Sequence, residues 1–269
     1  MGRPSQGSRT AIVTGAASGI GRGIAHRLGR DGWSLVLADL EVDGLATVAR
    51  ELADLGAPAC TVVVGDQSDP KVAERTADAA VRDHGGLDGV VCNAGVGVTG
   101  MLDEIDAADW VRAFRVNVDT AFLLTRESLR VMKRAKRGGS IVFIASKSAF
   151  GPSAGFGAYS ASKAAMVQLM RVAALEGGPH QIRVNAINPG AVFAGSRVWE
   201  QGVREARAAA LGVNPQALES FYADRTALGR SVRPEDVAAS VAFLLSADSA
   251  LVTGGVINVD GGVAAAFPR

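Results

Sequence analysis

The chain has 269 residues, 48% of them hydrophobic and only 5% aromatic, with 33 glycines, a balance that suits one large α/β unit packed from small aliphatic side chains rather than an aromatic-rich β-sandwich. Its 28 basic and 27 acidic residues nearly cancel, which leaves no overall field to recruit nucleic acid or an anionic membrane and points to a small-molecule partner.

In chain order, runs rich in β-branched and aliphatic residues at 10–13, 34–38, 61–64, 89–92, 141–145, 183–187 and 256–259 predict seven strands. Between the first six lie stretches of helical period over 20–30, 42–55, 70–84, 107–134 and 158–177. Alternating strands and helices predict an α/β fold of Rossmann type, a single-domain doubly wound parallel sheet with helices on both faces. Residues 1–8 read as a flexible tail. The alternation breaks at 191–233, where Trp199, Arg204, Glu205, Arg207 and Phe221 suggest helical pieces. An insertion there overhangs the carboxyl ends of the strands, where open α/β sheets place ligands, and reads as a substrate lid.

The first strand runs into Thr14-Gly15-Ala16-Ala17-Ser18-Gly19-Ile20-Gly21 and then a helix. Glycines allow a tight turn, and backbone amides at a helix N-terminus attract a pyrophosphate. The second strand ends at Asp39, whose carboxylate suits the adenosine ribose hydroxyls and repels a 2′-phosphate, so NAD is expected over NADP. Asp39 as a helix cap is the competing reading. Asp66 after the third strand either contacts adenine or caps the helix near Pro70.

Ser146 follows the fifth strand, and Tyr159 and Lys163 stand four residues apart at the start of a helix, hence on one face. A free tyrosine titrates near pH ~10. An adjacent ammonium and a bound nicotinamide cation would stabilise its phenolate and bring it toward a useful acid/base range.

Together with Asn93-Ala94-Gly95, Asn117, Asn188-Pro189-Gly190 and Val259-Asp260-Gly261-Gly262, these motifs resemble the short-chain dehydrogenase/reductase family over nearly the whole chain. The resemblance implies hydride transfer between a carbinol carbon and nicotinamide, without a metal. It implies catalytic roles for Ser146, Tyr159, Lys163 and Asn117, with Tyr159 exchanging the proton and Asn117 supporting a water that links Lys163 to solvent. It implies cofactor contacts from Gly15, Ser18, Gly19, Ile20, Gly21, Asp39, Asp66, Asn93, Ala94, Gly95, Tyr159, Lys163, Pro189, Gly190 and Val192. Where the family has a Thr after Pro-Gly, this chain has Ala194; Ser196 or the Val192 backbone are the expected substitutes. The second half is most similar to the dehydrogenase half of bifunctional rhamnulose-phosphate aldolase/dehydrogenases, which implies a small hydroxylated substrate of sugar, polyol or hydroxyaldehyde type.

Expected substrate contacts are Ser146, Lys147, Ser148, Tyr159, Arg197 and Trp199; for Lys147 and Arg197, pointing to solvent is the other reading. Phe193 and Phe156 are further pocket candidates. Two other functions stay open: an NADPH-dependent biosynthetic ketoreductase, and a nucleotide-binding redox sensor without catalysis. Cys60 and Cys92 lack partners at metal or redox spacing and read as reduced thiols of a cytoplasmic protein. His26, His84 and His180 are scattered, so no metal site is expected. No membrane span or leader is expected either. Apolar residues on more than one face of the two longest helices, with the family likeness, suggest a homotetramer.

Overall fold

Strand burial sets the layering. In the computed structural model, which describes residues 9–200 and 202–267, β1 (Thr10–Thr14), β2 (Ser34–Asp39), β4 (Gly89–Cys92), β5 (Gly139–Ile144) and β6 (Ile182–Pro189) are buried over nearly all their length. β3 (Cys60–Val64) and β7 (Val256–Val259), the edge strands, are only partly covered. All neighbours pair in parallel in the order β3-β2-β1-β4-β5-β6-β7. The continuous apolar runs follow from this, because parallel strands bury both faces under helices. The expected tail at 1–8 lies outside the described residues.

Successive side chains alternate between two cores. Ile12, Val36, Val90, Ile141, Phe143 and Val184 join Ala77 and Ala80 of α3 (Pro70–His84), Leu124 and Met132 of α5 (Thr120–Ala135) and Met166 and Met170 of α6 (Gly157–Gly177). Val13, Leu35, Leu37, Val91, Val142 and Ile187 join α1 (Gly19–Arg30), α2 (Val42–Asp54) and α9 (Pro234–Leu245). Helix ends carry local signals: the Asp69 carboxylate accepts the Lys71 amide at 2.8 Å with Pro70 in the first turn, and Gly85 at φ 78° ends α3. The alternative of Asp66 as cap therefore fails; Asp69 does that work.

One element departs from the sequence reading. The helix expected over 107–134 is split into α4 (Ala107–Phe114) and α5 by a π-helical turn, Arg115–Asp119, that carries Asn117. Such turns are often found at functional sites. The 264–267 segment turns back on the fold: Ala266 is buried and its carbonyl accepts the Asn258 amide at 3.2 Å.

The 191–233 insertion is helical, with short 3-10 turns Arg197–Trp199 and Pro215–Ala217 and helices α7 (Val203–Leu211) and α8 (Leu218–Ala223). A parallel bridge from Val192 to Val232 closes its base. Among the described residues no helix is long and apolar enough to cross a membrane.

Candidate active site

The cleft opens at the carboxyl ends of β1, β4, β5 and β6, where strand order reverses between β1 and β4, and has a volume of about 390 Å³. Its floor at one end is the glycine turn. Gly15 and Gly19 hold φ of 62° and 48°, in the left-handed region where a side chain is strained. A Cβ at Gly21 would stand 2.0 Å from the Gly15 carbonyl oxygen. Asn93, at the end of β4, donates to the carbonyls of Thr14 at 2.8 Å and Gly15 at 3.1 Å and so pins this turn to the sheet. Ser18 makes no side-chain cap, which leaves the first amides of α1 open to a diphosphate. These features fit the pyrophosphate of a dinucleotide.

At the adenosine end, Asp39 is partly a backbone anchor. One carboxylate oxygen accepts the Ala17 amide at 3.0 Å, the other the amides of Leu40 at 2.7 Å and Glu41 at 3.2 Å. The carboxylate thus ties the end of β2 to the glycine turn and still lines the cleft. Asp66 also lines it; Arg115 donates to Asp66 at 3.0 Å, and the Ser68 amide and hydroxyl donate at 2.9 and 2.7 Å. Desolvation raises the Asp66 carboxyl, but Ser68 and Arg115 outweigh it and hold it below its ordinary value.

At the opposite end stand Ser146, at the start of a 3-10 turn (Lys147–Ala149), and Tyr159 and Lys163 on the first turns of α6. The Ser146 hydroxyl accepts the Ser148 amide at 3.1 Å. The Phe156 ring stacks on Tyr159 with centroids 4.6 Å apart. Buried Lys163 donates to the Ile144 carbonyl at 3.0 Å, with its ammonium 5.8 Å from the centre of the Tyr159 ring. Asn117 Oδ1 accepts the Val96 amide at 2.8 Å, and its Nδ2 donates to the Val96 carbonyl at 3.2 Å and to Ser162 Oγ at 2.9 Å. Gly95 makes the junction possible: a Cβ there would lie 2.9 Å from Asn117 Oδ1 and 3.3 Å from Lys163 Nζ.

The electrostatics differ from the expectation. In the protein alone, burial pushes the Tyr159 phenol above its ordinary value; the Ser146 hydroxyl pulls it down and Tyr222 adds to the rise. Burial lowers the Lys163 ammonium to about 8. Desolvation disfavours both charged forms in the protein alone.

Gly15, Ser18, Gly19, Ile20, Asn93, Ala94, Gly95, Pro189, Gly190 and Val192 all line this same cleft, as do Ser146, Lys147, Ser148, Tyr159, Lys163, Arg197 and Trp199. Gly21 and Asn117 stand behind its wall. In the lid, Trp199 stacks on Phe193 at 4.3 Å and donates to the Val192 carbonyl at 2.8 Å. Ala194 is exposed, whereas Ser196 lines the cleft with its backbone against Gly19. Arg197, open between a substrate contact and a solvent-facing charge, ion-pairs Glu41 at 3.0 Å and Glu200 at 3.3 Å, which turns it toward the adenosine end.

Glu41, Glu200, Tyr222 and Arg207 are among the site residues that the sequence reading missed. Tyr222 lines the cleft, and buried Arg207 donates to its hydroxyl at 2.8 Å and to the Ala154 carbonyl at 2.7 Å. No motif marks them, because they stand on separate helices, α7 and α8, that only the fold of the lid brings within hydrogen-bond reach.

Comparison with known proteins decides the family. Residues 15–264 match the family described as enoyl-(acyl carrier protein) reductase. A short-chain dehydrogenase/reductase of Armillaria gallica is 37% identical over 261 residues, 96% of this chain and 97% of its own. The chain belongs to the short-chain dehydrogenase/reductase family. It is an oxidoreductase of CH–OH groups whose family binds nicotinamide cofactors. An uncharacterized oxidoreductase of Bacillus subtilis is 38% identical over 97% of this chain, and the chain spans only 38% of that relative's length. L-2,3-Butanediol dehydrogenase of Corynebacterium glutamicum is 36% identical, covering 95% of this chain and 98% of its own. Among solved structures, actinorhodin polyketide ketoreductase with NADPH superposes with a TM-score of 0.89 at 32% identity, over 95% of this chain and 97% of that one. NAD+-bound xylitol dehydrogenase superposes at 0.88 with 29% identity, over 96% and 100%.

Proposed function

We propose that the protein is an NAD-dependent dehydrogenase of secondary alcohols, acting on a small polar hydroxylated substrate of sugar, polyol or hydroxyaldehyde type, with Tyr159 as its acid/base. The observation that carries this reading is the convergence of Ser146, Tyr159 and Lys163 at one end of the cleft that has Asp39 at the other. A bound nicotinamide would supply the hydride acceptor or donor for the carbinol carbon. Ser146 orients the substrate oxygen, Tyr159 accepts or returns its proton, and Lys163 holds the nicotinamide ribose and balances charge as the phenol ionises. Asn117, through Val96 and Ser162, keeps the frame around Lys163 rigid.

The preference for NAD rests on charge at the ribose end. Asp39, Glu41 and Glu200 lie there with Arg197, which is already paired to Glu41 and Glu200, while Arg115 is paired to Asp66. A 2′-phosphate would meet net negative charge. The rival, an NADPH-dependent ketoreductase, draws on the same Arg197, which would serve a phosphate if released from Glu41. The polyol-type substrate is supported by the likeness to butanediol and xylitol dehydrogenases.

The likeness to the dehydrogenase half of rhamnulose-phosphate aldolase/dehydrogenases belongs to this proposal; a relative much longer than this chain is compatible with it. So does a homotetramer, supported by exposed Trp110, Val111, Phe122 and Leu175 on α4, α5 and α6. A reducing, cytoplasmic setting is supported by the free thiols of Cys60 and Cys92, which burial pushes up to about 11 and about 12.

The test is a spectrophotometric screen of polyols, deoxysugars and hydroxyaldehydes with NAD and NADP in parallel. Reduction of NAD at higher kcat/KM than NADP is expected. Activity with NADP alone would overturn the cofactor assignment, and no reduction with any alcohol would overturn the substrate class.

A further inference from the structure

We propose that the substrate carries an anionic group, a carboxylate or a phosphate ester, and that Lys147 receives it beside the reacting carbinol. The inference rests on the dehydrogenase reading above and narrows its substrate.

Lys147 directly follows Ser146 in the 3-10 turn and lines the cleft. Its side chain is half-buried, yet among the described residues its ammonium makes no hydrogen bond or ion pair; its recorded contact is with the Tyr222 ring, 5.4 Å from the centroid. A desolvated ammonium without an anion is disfavoured, and buried charges are normally paired. Its surroundings add to the imbalance. Arg207 is 2% exposed, donates only to neutral oxygens, on Tyr222 and Ala154, and stacks 5.1 Å from the Phe156 ring. Arg204 lies 5.3 Å from the Phe193 ring.

Asp260 is the carboxylate whose charge acts on Lys147, but the two form no ion pair. One Asp260 oxygen accepts the Gly262 amide at 2.9 Å; the other is buried with no hydrogen-bond partner. Arg230 and Glu219 share the small hollow beyond it and offset one another in formal charge. Desolvation and Arg207 lower the Lys147 ammonium, against the pull of Asp260. Half-buried Lys147 and buried Arg207 and Lys163 therefore share the chemical end with the Asp260 carboxylate, whereas at the ribose end Asp39, Glu41, Asp66 and Glu200 outnumber Arg197 and Arg115, which are paired to three of them. The cleft is polarised along its length. A neutral polyol would leave the Lys147 charge partly desolvated and unmatched; an anion on the substrate supplies the missing partner and fixes which carbon faces Tyr159.

The experiment compares matched pairs: lactate with propylene glycol, and glycerol phosphate with glycerol, each as substrate with NAD and as ligand by calorimetry on the enzyme carrying NADH. Hydrogen bonds to a charged partner predict a preference of about 10- to 100-fold for the anionic member of one pair, and which pair shows it tells carboxylate from phosphate. Lys147→Met removes about tenfold or more of that preference, and Lys147→Arg keeps part of it. Equal or better use of the neutral members, or a Lys147→Met effect that falls equally on both members, overturns the inference. Calorimetry separates the two claims. Lys147-dependent anion binding without turnover of any alcohol supports the anion seat and overturns the dehydrogenase reading; turnover of neutral members without preference does the reverse.

Discussion

The Arg197 guanidinium of the lid and the Glu41 carboxylate at the start of α2 lie 3.0 Å apart and bridge the adenosine end of the cleft. Both side chains are almost half exposed, 44% and 49%, so the pair holds the lid weakly, in the range of about 0–1 kcal/mol. That weakness suits a strap that opens for each cofactor exchange. Arg197→Met is therefore expected to speed NADH release by a factor of up to about five, with little change in thermal stability. Stopped-flow fluorescence measures it; an unchanged release rate would show that the strap does not gate the cofactor.

Gly21→Ala is expected to abolish tight NADH binding and to destabilise the fold by about 1–3 kcal/mol, because its Cβ would sit 2.0 Å from the Gly15 carbonyl and force the turn open. Gly178→Ala, at a position with nothing within 4 Å, is the control and should stay within about 0.5 kcal/mol. Urea unfolding and NADH titration of both variants check the pair; equal behaviour would contradict the crowding argument.

How much of this was legible in the sequence follows from where the information lies. Val13, Val36, Val91 and Val142 sit in strands buried on both faces, and a continuous apolar run between helical stretches identifies such a strand without knowledge of its neighbours. The glycine turn, Asp39, Ser146, Tyr159 and Lys163 are marked by spacing. The π turn was not legible, because Arg115 to Asp119 keeps a helical polarity pattern and the extra residue shows only in hydrogen bonding. The pairing of Arg197 is illegible for a similar reason: its partner Glu41 lies on another element, and the lid fold alone brings them together. The Tyr159 shift depends on desolvation, which no local pattern reports.

Lys163 gives a pH test on the cofactor-free protein. Its folded pKa of about 8 lies below the 10.5 of a free lysine, so between those values the unfolded chain binds more protons and stability rises with pH. The penalty of burying the charge is present in full below pH 8 and is relieved toward pH 10.5, on the order of 3 kcal/mol. Lys163→Met lacks this dependence. Relative to that variant, the wild-type protein should gain stability across this window in urea unfolding; a constant difference would mean that Lys163 is not desolvated.

Asp39→Asn should lower kcat/KM for NAD and narrow the NAD-to-NADP ratio by about tenfold or more, since it removes the charge that opposes a 2′-phosphate. Parallel steady-state kinetics with both cofactors check it. A ratio that does not move would place discrimination elsewhere at that end of the cleft.

The most direct test of the central claim is Tyr159→Phe, assayed for NAD reduction with the best alcohol from the screen and, separately, for NADH binding by fluorescence. Loss of a positioned acid/base predicts a fall in kcat of about 10²- to 10⁴-fold, with NADH affinity retained. A variant that binds NADH and still turns over at the wild-type rate would contradict the assignment of Tyr159 as the proton-exchanging group.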